Sequence, residues 1–234
     1  EITCSDNELK SFNIGNGNNQ HITKFDATNN GLLSCIGVDD ATYAAANWTF
    51  IDSGVTFSEG GCSVYIPDVG LKAALVANAA INTNSDTEIQ FYEAEAYNDG
   101  LFVSNLGISD MTGLQAFKFI SALSCSDNNL NQLDVSFNQE LKLLQCSGNQ
   151  LSKLHLSQCA LIERLYCFDN ILDSLDLKAN TSLVRVDCHE NELIALDLRN
   201  GHHTQIIEFD ATNNPSLNCI SVDDANYSTE NWTN

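Results

Sequence analysis

Residues 82 to 93 carry the densest set of metal-ligand side chains in the chain, in the order Asn82-Thr-Asn84-Ser-Asp86-Thr-Glu88-Ile89-Gln90-Phe-Tyr-Glu93. Counted from Asn82, oxygen donors Asn82, Asn84, Asp86 and Gln90 take places 1, 3, 5 and 9. Glu88 takes place 7, the apolar Ile89 place 8, and Glu93 place 12. This is the order of a twelve-residue calcium loop of EF-hand type, in which one short segment wraps a hard cation that takes about six to eight oxygens. Place 1 is asparagine rather than aspartate, and place 6 is Thr87 where glycine usually permits the sharp turn. With only Asp86 and Glu93 as charged ligands in this pattern, the expectation is a structural Ca2+ of modest affinity. The alternative is a metal-free helix–turn–helix cap held by Asx turns. Either way a helix is expected before the loop, from Gly70 through Ala80, and another opening at Glu93.

Cysteine is the second chemistry-bearing type, and the chain has nine. Cys125, Cys146, Cys167 and Cys188 stand 21 residues apart, and Cys4 fits the same frame. Stacked identical positions make a column of small buried side chains, so these five are read as a thiol ladder rather than a metal site. Cys35 and Cys62 lie outside the frame and are the disulfide candidates. Cys159 is placed on the outer side of a coil, with no role assigned.

The elements that position these groups follow from the apolar frame around each cysteine. One copy reads Leu123-x-Cys125-x-x-Asn128-x-Leu130-x-x-Leu133-x-Val135, and the next Leu144-x-Cys146-x-x-Asn149-x-Leu151-x-x-Leu154-x-Leu156. The third runs through Leu165, Cys167, Asn170 and Leu172, the fourth through Val186, Cys188, Asn191 and Leu193. An L-x-x-L-x-C-x-x-N-x-L core at this period is the leucine-rich-repeat signature. One such coil cannot bury its apolar side alone, so the coils must stack as a solenoid with parallel strands on a concave face.

A longer period lies above this one. Residues 1–50 align with 185–234 at a constant offset of 184 and without a gap, with about half the positions identical. Cys4 falls on Cys188, Cys35 on Cys219 and Trp48 on Trp232, and Phe25-Asp-Ala-Thr-Asn-Asn30 returns as Phe209-Asp-Ala-Thr-Asn-Asn214. The expected organisation is therefore 1–62 as the final coils and cap of one solenoid, 63–100 as a helical, EF-hand-like connecting unit, and 101–234 as a second solenoid with its own cap. The same offset places a partner for Cys219 at position 246, so the chain reads as part of a longer array with neighbouring modules.

The coils from Cys125 to Asn200, the entry segment Ile66-Pro-Asp-Val-Gly-Leu-Lys-Ala-Ala and the stretch Ile108-Ser-Asp-Met-Thr-Gly-Leu114 carry a family resemblance. Along essentially its whole length the chain resembles bacterial secreted or cell-surface leucine-rich-repeat proteins, internalin-like in their 21-residue coils and of a flavobacterial type. The resemblance implies an adhesion or recognition scaffold outside the cell, and not an enzyme.

Composition narrows the partners. Ten basic against 31 acidic residues give a formal charge of −21, which repels nucleic-acid phosphates and anionic membrane surfaces. No apolar run is long enough to span a membrane. No nucleophile, base and orienting group come together at a recognisable spacing, so catalysis is the least favoured class. If each L-x-C segment is a strand, its alternate side chains face outward. That puts Leu143 and Gln145 on one strand, Arg164, Tyr166 and Phe168 on the next, and Arg185, Asp187 and His189 on a third. Arginine and tyrosine are enriched where binding energy concentrates, so these eight residues are the candidate site for a protein or glycan ligand. Two alternatives stay open: Arg164, Arg185 and Asp187 as cross-strand ion pairs only, and the whole chain as a structural repeat of a surface stalk or filament.

Overall fold

The computed structural model describes residues 1–59 and 61–232. The chain forms two compact units, one made of residues 1–64 with 86–93 and the other of residues 65–85 with 94–234. The connecting segment expected at 63–100 is thus divided between them.

The first unit is built on short parallel pairs. Ile2–Thr3 pairs with Phe25–Asp26, and Ser11–Asn13, Cys35–Gly37 and Thr56–Ser58 form a three-stranded sheet in that order. Asp40 caps the helix Ala41–Asn47 by accepting the Tyr43 backbone N–H at 2.7 Å, which satisfies one of the donors a helix start leaves open. Trp48 ends that helix and is 2% exposed, stacked on Phe25 at 4.6 Å between ring centres. Its indole N–H donates to the Ile22 carbonyl at 3.2 Å, so the one polar atom of the ring is met. Cys35 and Cys62 are joined by a disulfide, their Cα atoms 5.7 Å apart.

In the second unit the 21-residue frame becomes a six-stranded parallel sheet. Its strands are Gly100–Phe102, Ala122–Ser124, Leu143–Gln145, Arg164–Tyr166, Arg185–Asp187 and Glu208–Asp210, each hydrogen-bonded to the next. A three-stranded sheet of Ser174–Asp176, Ala195–Asp197 and Ile220–Ser221 runs along the other side of the later coils. The central residue of each main strand points inward: Leu123, Leu144, Leu165 and Val186 are fully buried, and two residues on so are Cys125, Cys146, Cys167 and Cys188. Each buried leucine contributes about 1.5–3 kcal/mol. Burial pushes the thiols of Cys125 and Cys188 up to about 12. Burial also raises those of Cys146 and Cys167, and next in effect are neighbouring thiols, Cys125 for the one and Cys188 with Cys146 for the other. The cysteine column is a stacked, dry ladder of unreactive thiols.

Behind the cysteines runs a ladder of asparagines. Asn170 donates to the carbonyls of Cys146, Cys167 and Phe168 at 3.1–3.2 Å and accepts from Leu151 N at 2.9 Å. Asn149 and Asn191 repeat the pattern one coil earlier and one later. The residue just before each of these three, and before Asn128 in the coil ahead of them, is held in the left-handed region: Asp127, Gly148, Asp169 and Glu190 have φ of 54, 63, 52 and 50°. At Gly148 a Cβ would meet the Asp127 carboxylate at 2.5 Å, which explains the glycine there.

Cys159 departs from expectation. It is fully buried, and its Sγ donates to the Val135 carbonyl at 3.3 Å. The reason is a second polar column at the same period. Asn138 donates to the Leu114 and Phe117 carbonyls, and Asn180 to those of Leu156 and Cys159, so Cys159 occupies an asparagine's place between them. His203 is also buried, its Nδ1 3.2 Å from Asp223 Oδ2. The corresponding Asn19 holds Asp39 in the first unit, with the Asn19 backbone N–H donating to the carboxylate at 3.1 Å.

Replacing Asn170 with alanine strips partners from a buried N–H and three carbonyls, and is expected to cost about 3 kcal/mol or more. The exposed Gln139→Ala should stay within about 0.5 kcal/mol of wild type. Urea unfolding of both variants checks this.

Candidate functional site

Because every second strand residue is buried against the ladder, the outward places form two in-register columns. One runs Gly100, Ala122, Leu143, Arg164, Arg185 and Glu208; the other runs Phe102, Ser124, Gln145, Tyr166, Asp187 and Asp210. Arg164 stands between Leu143 and Arg185, and Tyr166 between Gln145 and Asp187. The eight residues singled out by spacing therefore lie on one sheet face, with Phe168 and His189 just past the strand ends. Arg164 is exposed and the other seven are partly buried.

The charges on this face pair differently from the cross-strand scheme. Arg185 Nε lies 3.0 Å from Glu208 Oε2, a residue on the following strand. Asp187 instead bonds His189, with Oδ1 2.6 Å from Nδ1. The reason is reach: residues i and i+2 of a strand share a face, so His189 meets Asp187 without crossing to another strand. Arg164 takes no ion pair or side-chain hydrogen bond among the described residues. His189 lies flat against Phe168, the rings 4.6 Å apart and 13° from parallel. Partial burial pulls the His189 pKa down, but the hydrogen bond and charge of Asp187, with Asp210 and Glu190 behind it, outweigh burial and raise it. Asp187, His189 and Asp210 also bring one nitrogen or oxygen each within 4.8 Å of one another.

Glu208, Asp210 and the exposed Phe102 belong to the same face but were not singled out by spacing. The signal for Glu208 and Asp210 was present. Phe209 and Ala211 continue the frame, with the Gly201-His-His insertion displacing it by two residues.

Residues 82–93 are shared by the two units, and each part has a local role. In the second unit, Asn82 Nδ2 donates to the Val76 carbonyl at 3.0 Å, beyond the helix Val69–Ala77. In the first, Asp86 accepts from Glu88 N at 2.7 Å and from the Gln90 amide at 2.8 Å. Glu93 is buried and accepts the Gln90 backbone N–H at 3.0 Å, the reach-back half of a capping box at the start of helix Phe91–Ala96.

No protein-family model matches the chain, and no curated protein matches its sequence. Among solved structures it is similar to the functional domain of InlJ from Listeria monocytogenes, described as including a cysteine ladder. That likeness has 28% identity and a TM-score of 0.58, over 68% of this chain and 38% of that one. An internalin, InlF, from the same organism has the same fold at 16% identity and a TM-score of 0.55, over 68% of this chain and 52% of its own. The chain is an internalin-like leucine-rich-repeat protein. It spans well under two thirds of the length of either internalin chain. No helix among its described residues is long and apolar enough to cross a membrane.

Asp187→Asn is expected to lower the His189 pKa, read by NMR titration of the ring. The sign for stability follows. A raised folded-state pKa stabilises below the ordinary histidine value of about 6.5 and loses that contribution as pH rises through the folded value. The wild type's advantage over Asp187→Asn should therefore shrink from acidic to neutral pH.

Proposed function

We propose that the internalin-like chain is a non-enzymatic binding module, working outside the cell, that presents the open face of its six-stranded sheet to a protein ligand. The observation that carries this reading is Arg164. It is exposed and takes no ion pair among the described residues, flanked in register by Leu143 and Arg185, with Tyr166 on its own strand. A guanidinium beside an aromatic ring suits a carboxylate at the rim of an apolar contact, and such residues dominate binding energy when desolvated. The stacked Phe168 and His189 add a flat, rigid surface at low entropic cost. A glycan is the alternative ligand, since stacked rings and planar polar groups also fit sugars.

The second reading is a structural repeat in a surface stalk or filament. It is favoured by the duplication of the closing motif, residues 1–50 in 185–234. A screen against surface proteins and glycans separates the two. The double variant Arg164→Ala/Tyr166→Ala is expected to weaken the bound ligand at least ~10-fold, about 1.4 kcal/mol, without moving the unfolding midpoint. Binding that is unchanged in this variant removes the patch and leaves the stalk.

We also propose a structural calcium role for the linker. It is supported by the order Asn82, Asn84, Asp86, Glu88, Gln90, Glu93, by the helix Val69–Ala77 that precedes it, and by the helix Phe91–Ala96 that begins within its last three residues. Calcium is expected to raise the melting temperature of the wild type and not that of Glu93→Gln. Glutamine still serves the capping box, so the two proteins should melt alike in chelator. A wild-type melt indifferent to calcium sets the proposal aside.

A further inference from the structure

The duplicated segment allows one strand pair of the second unit to be compared with its copy in the first. Val186 and Phe209 stand in register as Ile2 and Phe25 do, and Asp187 and Asp210 as Thr3 and Asp26. One charged pair is kept with its signs exchanged. Arg185 Nε lies 3.0 Å from Glu208 Oε2, and at the same places Glu1 Oε1 lies 2.7 Å from Lys24 Nζ. Either sense ties the two strands, which is all that a structural pair requires. The aspartate of the second strand is also held alike. Asp210 Oδ1 accepts the backbone N–H and hydroxyl of Thr212 at 2.8 and 2.7 Å, as Asp26 Oδ1 does from Thr28 at 3.1 and 2.8 Å.

The copies differ beside that aspartate. Asp187 stands where the first unit has Thr3, and His189 where it has Ser5. Both differences bring a metal-ligating group toward Asp210, so that one ring nitrogen and one oxygen of each carboxylate lie within 4.8 Å of one another. Two carboxylates facing each other in register disfavour the sheet unless positive charge sits between them. Arg185 does not supply it, being turned to Glu208. The His189 ring and a cation from outside are what remain. The ring is already held, bonded to Asp187 at 2.6 Å and stacked on Phe168, so it loses little freedom on taking an ion. A further coil does not close this place. In the first unit Phe50 of the following coil is bridged to Asp26, and Asp26 stays partly exposed.

We propose that Asp187, His189 and Asp210 form a binding site for a divalent first-row transition cation, with Zn2+ the fitting ion. An imidazole with two carboxylates suits such an ion, whereas Ca2+ and Mg2+ prefer oxygen ligands alone. Bonds of about 2.0–2.2 Å put adjacent ligand atoms about 3–3.5 Å apart. The three side chains therefore close on an ion by rotation, with the backbone register already in place. Three protein ligands leave a coordination place open, on the outward side of the sheet, for water or a carboxylate of a bound protein. That last occupant rests on the binding role proposed above. The ion itself is measured without any ligand, so either reading can fail alone.

The probe is Zn2+ added to the whole chain carrying Cys219→Ser, which removes an exposed thiol that would itself take the metal. Calorimetry should give a site of one Zn2+ per chain, and the first NMR signals to move should include the His189 ring. Co2+ in its place should give visible absorption. His189→Gln and Asp210→Asn should each weaken Zn2+ at least ~10-fold. Asparagine at 210 keeps the bonds from Thr212, and equal urea midpoints show that the fold is intact. Arg164→Ala, on the neighbouring column, should leave Zn2+ binding unchanged. Absence of Zn2+ binding overturns the proposal. So does binding that neither variant weakens, or that leaves the His189 ring signals in place, since the ion would then sit elsewhere. Ca2+ held at these residues as tightly as Zn2+ would make the site a plain carboxylate pair and overturn it as well.

Discussion

Each coil of this protein turns sharply after a three-residue strand, and the turn leaves backbone groups buried with no neighbour of their own. The asparagine ladder meets them. One amide group bonds its own coil through the cysteine carbonyl and the coil before through the preceding cysteine carbonyl, as Asn191 does for Cys188 and Cys167. Its oxygen holds a backbone N–H of the preceding coil as well, as with Leu172. An unmet buried backbone group costs about 1–3 kcal/mol. The ladder therefore sets the period. In the regular coils the asparagine reaches a cysteine carbonyl 24 residues back. Where two residues are inserted before Asn214 the reach becomes 26, and a short 3-10 turn at His203–Gln205 lies within the insertion's coil while the bond is kept at 3.1 Å. The first unit repeats the solution with Asn30, Cys4 and the turn Asn19–His21. Length gives way; the hydrogen bond does not.

Fixing the period also decides where chemistry is possible. With leucines and thiols committed to the inside, alternation leaves every second strand residue outside, and a one-residue slip would reverse the faces. Register then turns a spacing of 21 into adjacency, so Arg164 meets Arg185 and Tyr166 meets Asp187. The inward thiols, raised by burial, are spectators.

That is why much of the fold was legible in the sequence. A repeated frame states both which residues are inside and which are neighbours, and the Cys125–Cys188 column and the outward eight follow from it directly. Partner choice was not legible. Arg185 has Asp187 two places along its own strand and Glu208 across the sheet, and only coordinates distinguish them; the stacked, hydrogen-bonded His189 takes Asp187 and leaves Arg185 to Glu208. Cys159 was misplaced because cysteine was associated with one column. Its spacing of 21 from both Asn138 and Asn180 shows that it belongs to the other. At residues 82–93 the same oxygen-rich side chains suit a cation or their own backbone, and Glu93 on the Gln90 N–H shows how a loop pattern and a helix cap share a spelling.

Charge places the last constraint on the exposed face. A net −21 opposes any acidic ligand at long range. Yet at physiological ionic strength charges beyond about 8 Å are largely screened, so a ligand already at the sheet senses mainly the local residues. There the paired groups cancel: Arg185 answers Glu208, and Asp187 answers His189 when the ring is protonated, which leaves Asp210 two strands away from Arg164. Arg164 remains uncompensated at the centre of its column. On a surface so heavily acidic, one unopposed guanidinium beside a tyrosine distinguishes its position more sharply than it would on a neutral protein. The far field that slows approach also keeps weak, unspecific cation-seeking partners from competing for the site.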